Sequence, residues 1–307
     1  MMQHEIMKVD VAEIYSPERV TKEAKRFGLK PGFSLDLTTT DETGTAWDFS
    51  QPRMRRKAIE LIKREKPELV IGSPMCRDWS SLQNLNFPKM DPQEVQRRMF
   101  EARMHLRFVS GIYKIQHTAG RYFLHEHPWS AKSWKEPCIH ELLNKQGVGV
   151  VRGDMCTFGM VQNGPRGSQP VLKPTGFLSN SVHIRLQLQR NCPDRGPRHQ
   201  DEPVHDHIPL MNGRARAAQV YPRGLCRAIC KGLKLQLQAD EMGVFHMGTL
   251  EKQENGQTKM ETPPEDNHDK ILLEAWGDVT NEALDAEKVQ AARSEEIGFV
   301  RKTGLYE

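Results

Sequence analysis

Leu69 to Ser80 reads LVIGSPMCRDWS. An apolar run, Leu69-Val70-Ile71, ends in Gly72, Ser73 and Pro74, and the loop that follows carries a lone thiol, Cys76. A short apolar run bounded by turn residues predicts a buried strand of a parallel sheet. Open α/β sheets bind ligands at the carboxyl ends of such strands. A cysteine at that edge is a candidate nucleophile, provided its pKa is lowered and another group handles the proton.

The segments on either side give the fold class. Upstream, Lys8 to Tyr15 reads as a first strand and Glu18 to Phe27 as a helix, with Pro17 at its first position and Gly28 as its stop. Phe33 to Leu37 is a second strand, and Pro52 to Lys66 a basic helix closed by Pro67. Downstream, Asp91-Pro92 opens a long helix to about Thr118, with Val95, Met99, Ala102, Leu106, Val109 and Tyr113 on one face. Tyr122 to Leu124 is a strand running into His125-Glu126-His127-Pro128. A helix over Pro137 to Asn144 and a strand over Val148 to Val151 follow, the latter leading to Cys156. Phe177 to Leu188 reads as a hairpin with the segment before it, and Arg214 to Leu235 returns to helical spacing. This alternation predicts an α/β fold over residues 1–235: a doubly wound, mostly parallel Rossmann-like sheet with a late antiparallel hairpin.

Residues 236–270 are polar and poor in aliphatic side chains, as expected of a disordered linker. Residues 271–307 form an acidic stub, in which Ile271 to Trp276 and Ala283 to Val300 read as short helical pieces. Charge divides along the same line. Residues 240–307 hold 7 Lys and Arg against 16 Asp and Glu, whereas residues 1–239 hold 37 against 24. A basic folded part is compatible with nucleic acid as a partner. Six unevenly spaced cysteines, with no signal peptide and no membrane-length apolar run, predict free thiols in an intracellular compartment, nucleus or cytoplasm.

Three groups of residues carry potential chemistry. Glu13, Asp36 and Asp48 fall near successive strand ends, where carboxylates accept hydrogen bonds from ribose hydroxyls or an exocyclic amine, or else cap their own loops. Cys76 and Glu126 fall at the ends of two successive strands. There a thiolate can add to an electron-poor ring carbon while a carboxylic acid engages the ring nitrogen; alternatively, and better supported by the chemistry alone, the two are a partly buried structural cysteine and a solvated acid. Arg77 either favours that thiolate or pairs with Asp78. Cys192, His199, His205 and His207 have ligand types suited to zinc, although their spacing matches no finger pattern, and a solvated His-rich loop is the alternative. Cys226 and Cys230 share one helix face and read as buried thiols.

GSPMCRDWS resembles the Pro-Pro-Cys loop of cytosine-5 DNA methyltransferases, and HEHP falls where that family has its Glu-Asn-Val segment. FGMVQNGPRG and KPTGFLSNS look like the late hairpin region of the same fold. The chain is also similar to a methyltransferase-like module of copia-type retrotransposon polyproteins. Its tail, EAWGDVTNEALDAEKVQAARSEEIGFVRKTGLYE, resembles the lead-in to a reverse transcriptase, as in a truncated reading frame. The resemblance implies S-adenosylmethionine as cofactor, held by Glu13, Ser16, Asp36, Asp48 and Pro74. It also implies Cys76 as nucleophile on an extruded cytosine and Glu126 as the group at the ring nitrogen. The chain departs from the family pattern at Met75, in place of the second proline, and at His127, in place of asparagine. The first loop, EIYSPERV, lacks glycine, and only Asn191 to Gly213 is left for a target-recognition domain. The alternative expectation is a non-catalytic nucleic-acid-binding or scaffolding fragment of such a polyprotein.

Overall fold

The structure is a computed structural model. It describes residues 9–80, 83–164, 167–193, 207, 208, 210 and 214–243, with two further segments at 275–276 and 283–284. Strands β1 (Val11–Ile14), β2 (Pro31–Leu35), β3 (Leu69–Gly72), β4 (Tyr122–Pro128), β5 (Gly149–Asp154) and β8 (Pro174–Ser179) form one six-stranded sheet in the order β2-β1-β3-β4-β8-β5. β2, β1, β3 and β4 are mutually parallel, and β8 lies antiparallel to both of its neighbours. Strands β6 (Val161–Gly164) and β7 (Gly167–Pro170) make a separate antiparallel hairpin.

Helices cover both faces. Val70, Phe123 and Leu178 point toward α2 (Pro52–Glu65), α4 (Pro92–Thr118) and α5 (Pro137–Leu143), where Ala58, Ile62, Leu106, Val109 and Ile139 are buried. Leu69, Ile71 and Leu124 point the other way, toward α1 (Val20–Ala24), α6 (Val182–Leu188) and α8 (Arg223–Glu241). Every residue of β1 and β3 is buried, as a strand covered on both sides requires. Two short helices, α3 (Gln83–Asn86) and α7 (Arg214–Ala217), complete the described α-helices.

Local chemistry sets the ends of these elements. Asp91 caps α4 by accepting from Gln93 N at 3.0 Å, and Pro92 sits at its first position. Gly72 has no Cβ because none fits: one would lie 2.2 Å from the Tyr113 hydroxyl and 2.6 Å from Val109 Cγ2. The long helix therefore presses directly on the last residue of the strand that precedes Cys76.

Several expectations are corrected. α1 starts at Val20, so Pro17 stands before the helix, in the β1–α1 loop. The stretch from Phe177 to Leu188 is not one arm of a hairpin: its first part completes β8 within the main sheet, and from Val182 it is helical. The late hairpin lies earlier, in β6 and β7. Pro222 precedes α8, so the helical stretch from Arg214 is two helices, and the second continues past Leu235 to Glu241. Tyr122 anchors that extension by donating to Asp240 at 2.8 Å. Most of the expected linker, 244–270, and most of the acidic stub lie outside the described residues. Within the stub, Ala275–Trp276 and Ala283–Leu284 pair as short antiparallel strands where helix was expected. No helix among the described residues is long and apolar enough to cross a membrane.

Candidate active site

The site is built on the carboxyl ends of β1, β3 and β4. β3 ends at Gly72, and Ser73-Pro74-Met75-Cys76 leads into a short 3₁₀ turn, Arg77–Trp79. Asp78 pairs with Arg98 of α4, whose Nε donates at 2.8 Å, so Asp78 turns to α4 and not to Arg77. The buried Trp79 ring anchors the same turn in the core.

His127, where the resembling family has asparagine, ties this loop to β4. The ring is fully buried, with Nε2 3.1 Å from the Pro74 carbonyl and Nδ1 2.5 Å from Ser133 Oγ. Burial pushes its pKa down to about 4, outweighing the opposite pull of Glu126 and the Pro74 carbonyl. The ring is therefore neutral at physiological pH. A carbonyl only accepts, so Nε2 carries the proton and Nδ1 accepts from Ser133.

Glu126 points to the opposite face from His125 and His127. It is buried, and Lys173 Nζ lies 3.6 Å from Oε1. Tyr221, in the turn before α8, donates to Oε2 at 3.4 Å, and its oxygen is also hydrogen-bonded to Ser73 Oγ. Even so, Oε1 has no hydrogen-bond partner among the described residues. A buried carboxylate oxygen left this way is costly unless something completes it. The Cys76 thiol feels this group directly. Burial raises its pKa, the Glu126 charge raises it further, and Lys173 only partly offsets them. The resting sulfur is thus protonated, with a carboxylate acceptor and an ammonium beside it.

The remaining expected residues are placed differently. Glu13 is completely buried, and all its recorded partners are local. Oε1 accepts from Arg19 N, Thr21 N and Thr21 Oγ1 at 2.9, 2.8 and 2.7 Å, and Oε2 from Ser16 Oγ at 3.0 Å. It caps the start of α1. Ser16 also donates to the Pro17 carbonyl. Asp48 is likewise engaged, accepting from Ser50 N at 2.9 Å and Gln51 Nε2 at 3.1 Å ahead of α2. Asp36 differs: Oδ1 accepts from Thr38, while Oδ2 has no hydrogen-bond partner among the described residues. Leu37 beside it is 60% exposed, an apolar side chain at the same sheet edge.

The glycine-free first loop turns by other means. Tyr15 adopts a left-handed φ of 61°, a conformation usually left to glycine. Its ring packs 4.8 Å from Phe49, and its hydroxyl lies 2.8 Å from His105 Nδ1, so aromatic packing holds the turn. Arg19 then reaches across to the Gln219 carbonyl at 2.6 Å and lies over the Tyr221 ring.

The sequence reading paired Cys76 with Glu126, and both line one cluster. It missed Lys173 and Tyr221, which complete that cluster from late in the chain. Lys173 did fall in the quoted KPTGFLSNS stretch; Tyr221 had no local signal. Among the zinc candidates, Cys192 and His207 come together and Cys156 joins them. His199 and His205 lie outside the described residues. Cys226 and Cys230 are buried in the α8 core, as expected.

No protein-family model, curated protein or solved structure matches this chain.

Proposed function

We propose that the chain is an S-adenosylmethionine-dependent methyltransferase-like protein of the cytosine-5 type, with a Rossmann-like domain of retroelement origin. The observation that carries this reading is a protonated thiol, Cys76, beside a buried carboxylate, Glu126, at the strand ends of an α/β sheet, with Glu126 Oε1 lacking a hydrogen-bond partner among the described residues. The antiparallel strand β8, laid between β4 and β5, supports it as the late antiparallel element the resemblance implies.

The residues at the β1 and β2 ends fit a nucleoside cofactor in part. Asp36 Oδ2 is available to ribose hydroxyls and Leu37 to a purine face. Glu13, Ser16 and Asp48 shape the surrounding loops, and Pro74 is held by His127. S-Adenosylmethionine, when bound, supplies an electrophilic methyl group.

The chain's own residues handle the ring. The Cys76 sulfur adds to an electron-poor pyrimidine carbon, forming a C–S bond, and its proton passes through Glu126 to the ring nitrogen. The neighbouring carbon is then electron-rich and would take the methyl group as the S–CH3 bond of the cofactor breaks, leaving S-adenosylhomocysteine. That carbon would next give up its hydrogen as a proton to solvent water, the C–S bond would break, and the ring nitrogen would return its proton to the departing thiolate. Lys173 orients Glu126 from 3.6 Å, and Tyr221 fixes its second oxygen. The substrate base has to leave its stack to reach a buried thiol, at a cost of a few kcal/mol.

Transfer of labelled methyl from S-adenosylmethionine to DNA and RNA pools tests the proposal, with Cys76→Ala as control. Label in nucleic acid that Cys76→Ala abolishes is the expected result. No transfer to either pool, together with no thermal shift at millimolar cofactor, overturns it. The raised Cys76 pKa favours one other reading, a non-catalytic nucleic-acid-binding fragment. Steeply salt-dependent binding that Cys76→Ala leaves unchanged, without methyl transfer, is its signature.

A further inference from the structure

Away from Cys76, three side chains distant in sequence meet at the far edge of the sheet. Cys156 lies in the 3₁₀ turn that follows β5, Cys192 follows the segment paired with the end of β5, and His207 precedes Ile208. Their Sγ, Sγ and imidazole nitrogen atoms all lie within 4.8 Å of one another. The six cysteines are thiols, so no disulfide accounts for the approach.

We propose that Cys156, Cys192 and His207 bind a zinc ion that fastens the end of β5 to the two later segments. Two thiolates and an imidazole are the ligand types zinc prefers. Zinc–sulfur and zinc–nitrogen bonds of about 2.3 and 2.05 Å at the tetrahedral angle put sulfur and nitrogen about 3.6 Å apart. Cys192 Sγ and His207 Nε2 lie 3.5 Å apart. Cys192 is buried, whereas Cys156 and His207 are half-buried, leaving a fourth position for water or a further ligand.

The backbone holds each ligand independently of a metal. Arg190 bridges Gly153, the Asp154 N–H donates to the Arg190 carbonyl at 2.8 Å, and Cys192 N donates to Asp154 Oδ2 at 2.8 Å. Ile208 N donates to the Pro170 carbonyl at 2.9 Å, which fixes His207 at the end of the β6–β7 hairpin. Two thiolates also balance the charge of a zinc ion, so a half-buried site of this kind carries little net charge.

The site stands apart from methyl transfer, and its test does not depend on it. Full-length chain purified without chelator is expected to hold about one zinc per chain by elemental analysis. Reconstitution with Co²⁺ is expected to give thiolate-to-cobalt charge transfer and the intense visible bands of tetrahedral cobalt. Cys156→Ser, Cys192→Ser and His207→Asn should each weaken Zn²⁺ binding by at least about tenfold, since removing only an outer-shell partner costs that much. Cys138→Ser, on α5, should leave it unchanged. Absence of zinc together with absence of the cobalt charge-transfer band overturns the proposal. So does a Cys156–Cys192 disulfide in the purified chain, or Zn²⁺ affinity in the three ligand variants unchanged from that of the unmodified chain. If a ligand variant does not fold, the cobalt spectrum of the unmodified chain decides.

Discussion

His127 offers the sharpest test of how the nucleophile loop is held. Its ordinary pKa of 6.5 is pushed down to about 4 by burial. Between those values the unfolded chain binds a proton that the folded ring refuses, so stability rises with pH across that window. The contribution is complete above pH 6.5 and is lost as pH falls toward 4. Each pH unit is worth about 1.4 kcal/mol, so this ring alone accounts for about 3 kcal/mol. Urea unfolding at pH 7, 6, 5 and 4 measures the slope directly. His127→Asn keeps an amide able to donate to the Pro74 carbonyl but removes the titration. Its stability at pH 7 should fall by about 1–3 kcal/mol through lost packing. Its curve should also be flatter than that of the unaltered chain, by about 3 kcal/mol over the window. The other titrating groups, His125 included, cancel in that difference. Parallel curves for the two chains would refute the neutral, carbonyl-donating ring.

Other outcomes follow from the same cluster. Glu126→Gln removes the charge that raises the Cys76 thiol pKa, so alkylation of Cys76 at pH 8, followed by mass spectrometry, should accelerate several-fold. Lys173→Met should slow it, and unchanged rates in both would show that the three groups do not interact. Gly72→Ala drives a methyl group into the Tyr113 hydroxyl and Val109, and should cost about 1–3 kcal/mol in denaturant unfolding. Adding Tyr113→Phe removes the closest clashing atom, so the double variant should lose less than the sum of the singles. Asp36→Asn should weaken S-adenosylmethionine binding by calorimetry more than Asp48→Asn does, because Asp48 is already committed to Ser50 and Gln51.

What could be read from sequence was what local rules govern. Leu69–Gly72 is a strand because three apolar residues meet a Gly-Ser-Pro stop. α4 runs from Pro92 to Thr118 because Asp91 and Gly120 bracket an apolar periodicity. The acids were visible as types but not in their roles. Glu13 lies at a strand end as expected, yet its four hydrogen bonds are to Ser16, Arg19 and Thr21, a cap that depends on how the chain turns back after Tyr15. That turn carries no glycine to announce it. Lys173 and Tyr221 reach Glu126 only through the placement of β8 and α8, and nothing in the residues around them encodes that distance. Cys156 joined Cys192 for the same reason: the bridge from Arg190 to Gly153 is a tertiary event.

The interleaving of β8 also dictates an order of events during synthesis. β5 leaves the ribosome before β8, yet it meets the rest of the sheet only through β8, which pairs Leu124 to Pro128 on one side and Gly149 to Asp154 on the other. The parallel half, β2-β1-β3-β4, can form as soon as β4 emerges, while β5 has to wait beside an open edge. A premature pairing of β5 with β4 would fill the place reserved for β8 and strand Lys173 away from Glu126. The helix and turn between β4 and β5, from Lys132 to Leu143, pack against α4 in the finished fold. The cluster around Glu126 is therefore complete only once Lys173 and Tyr221 have both emerged.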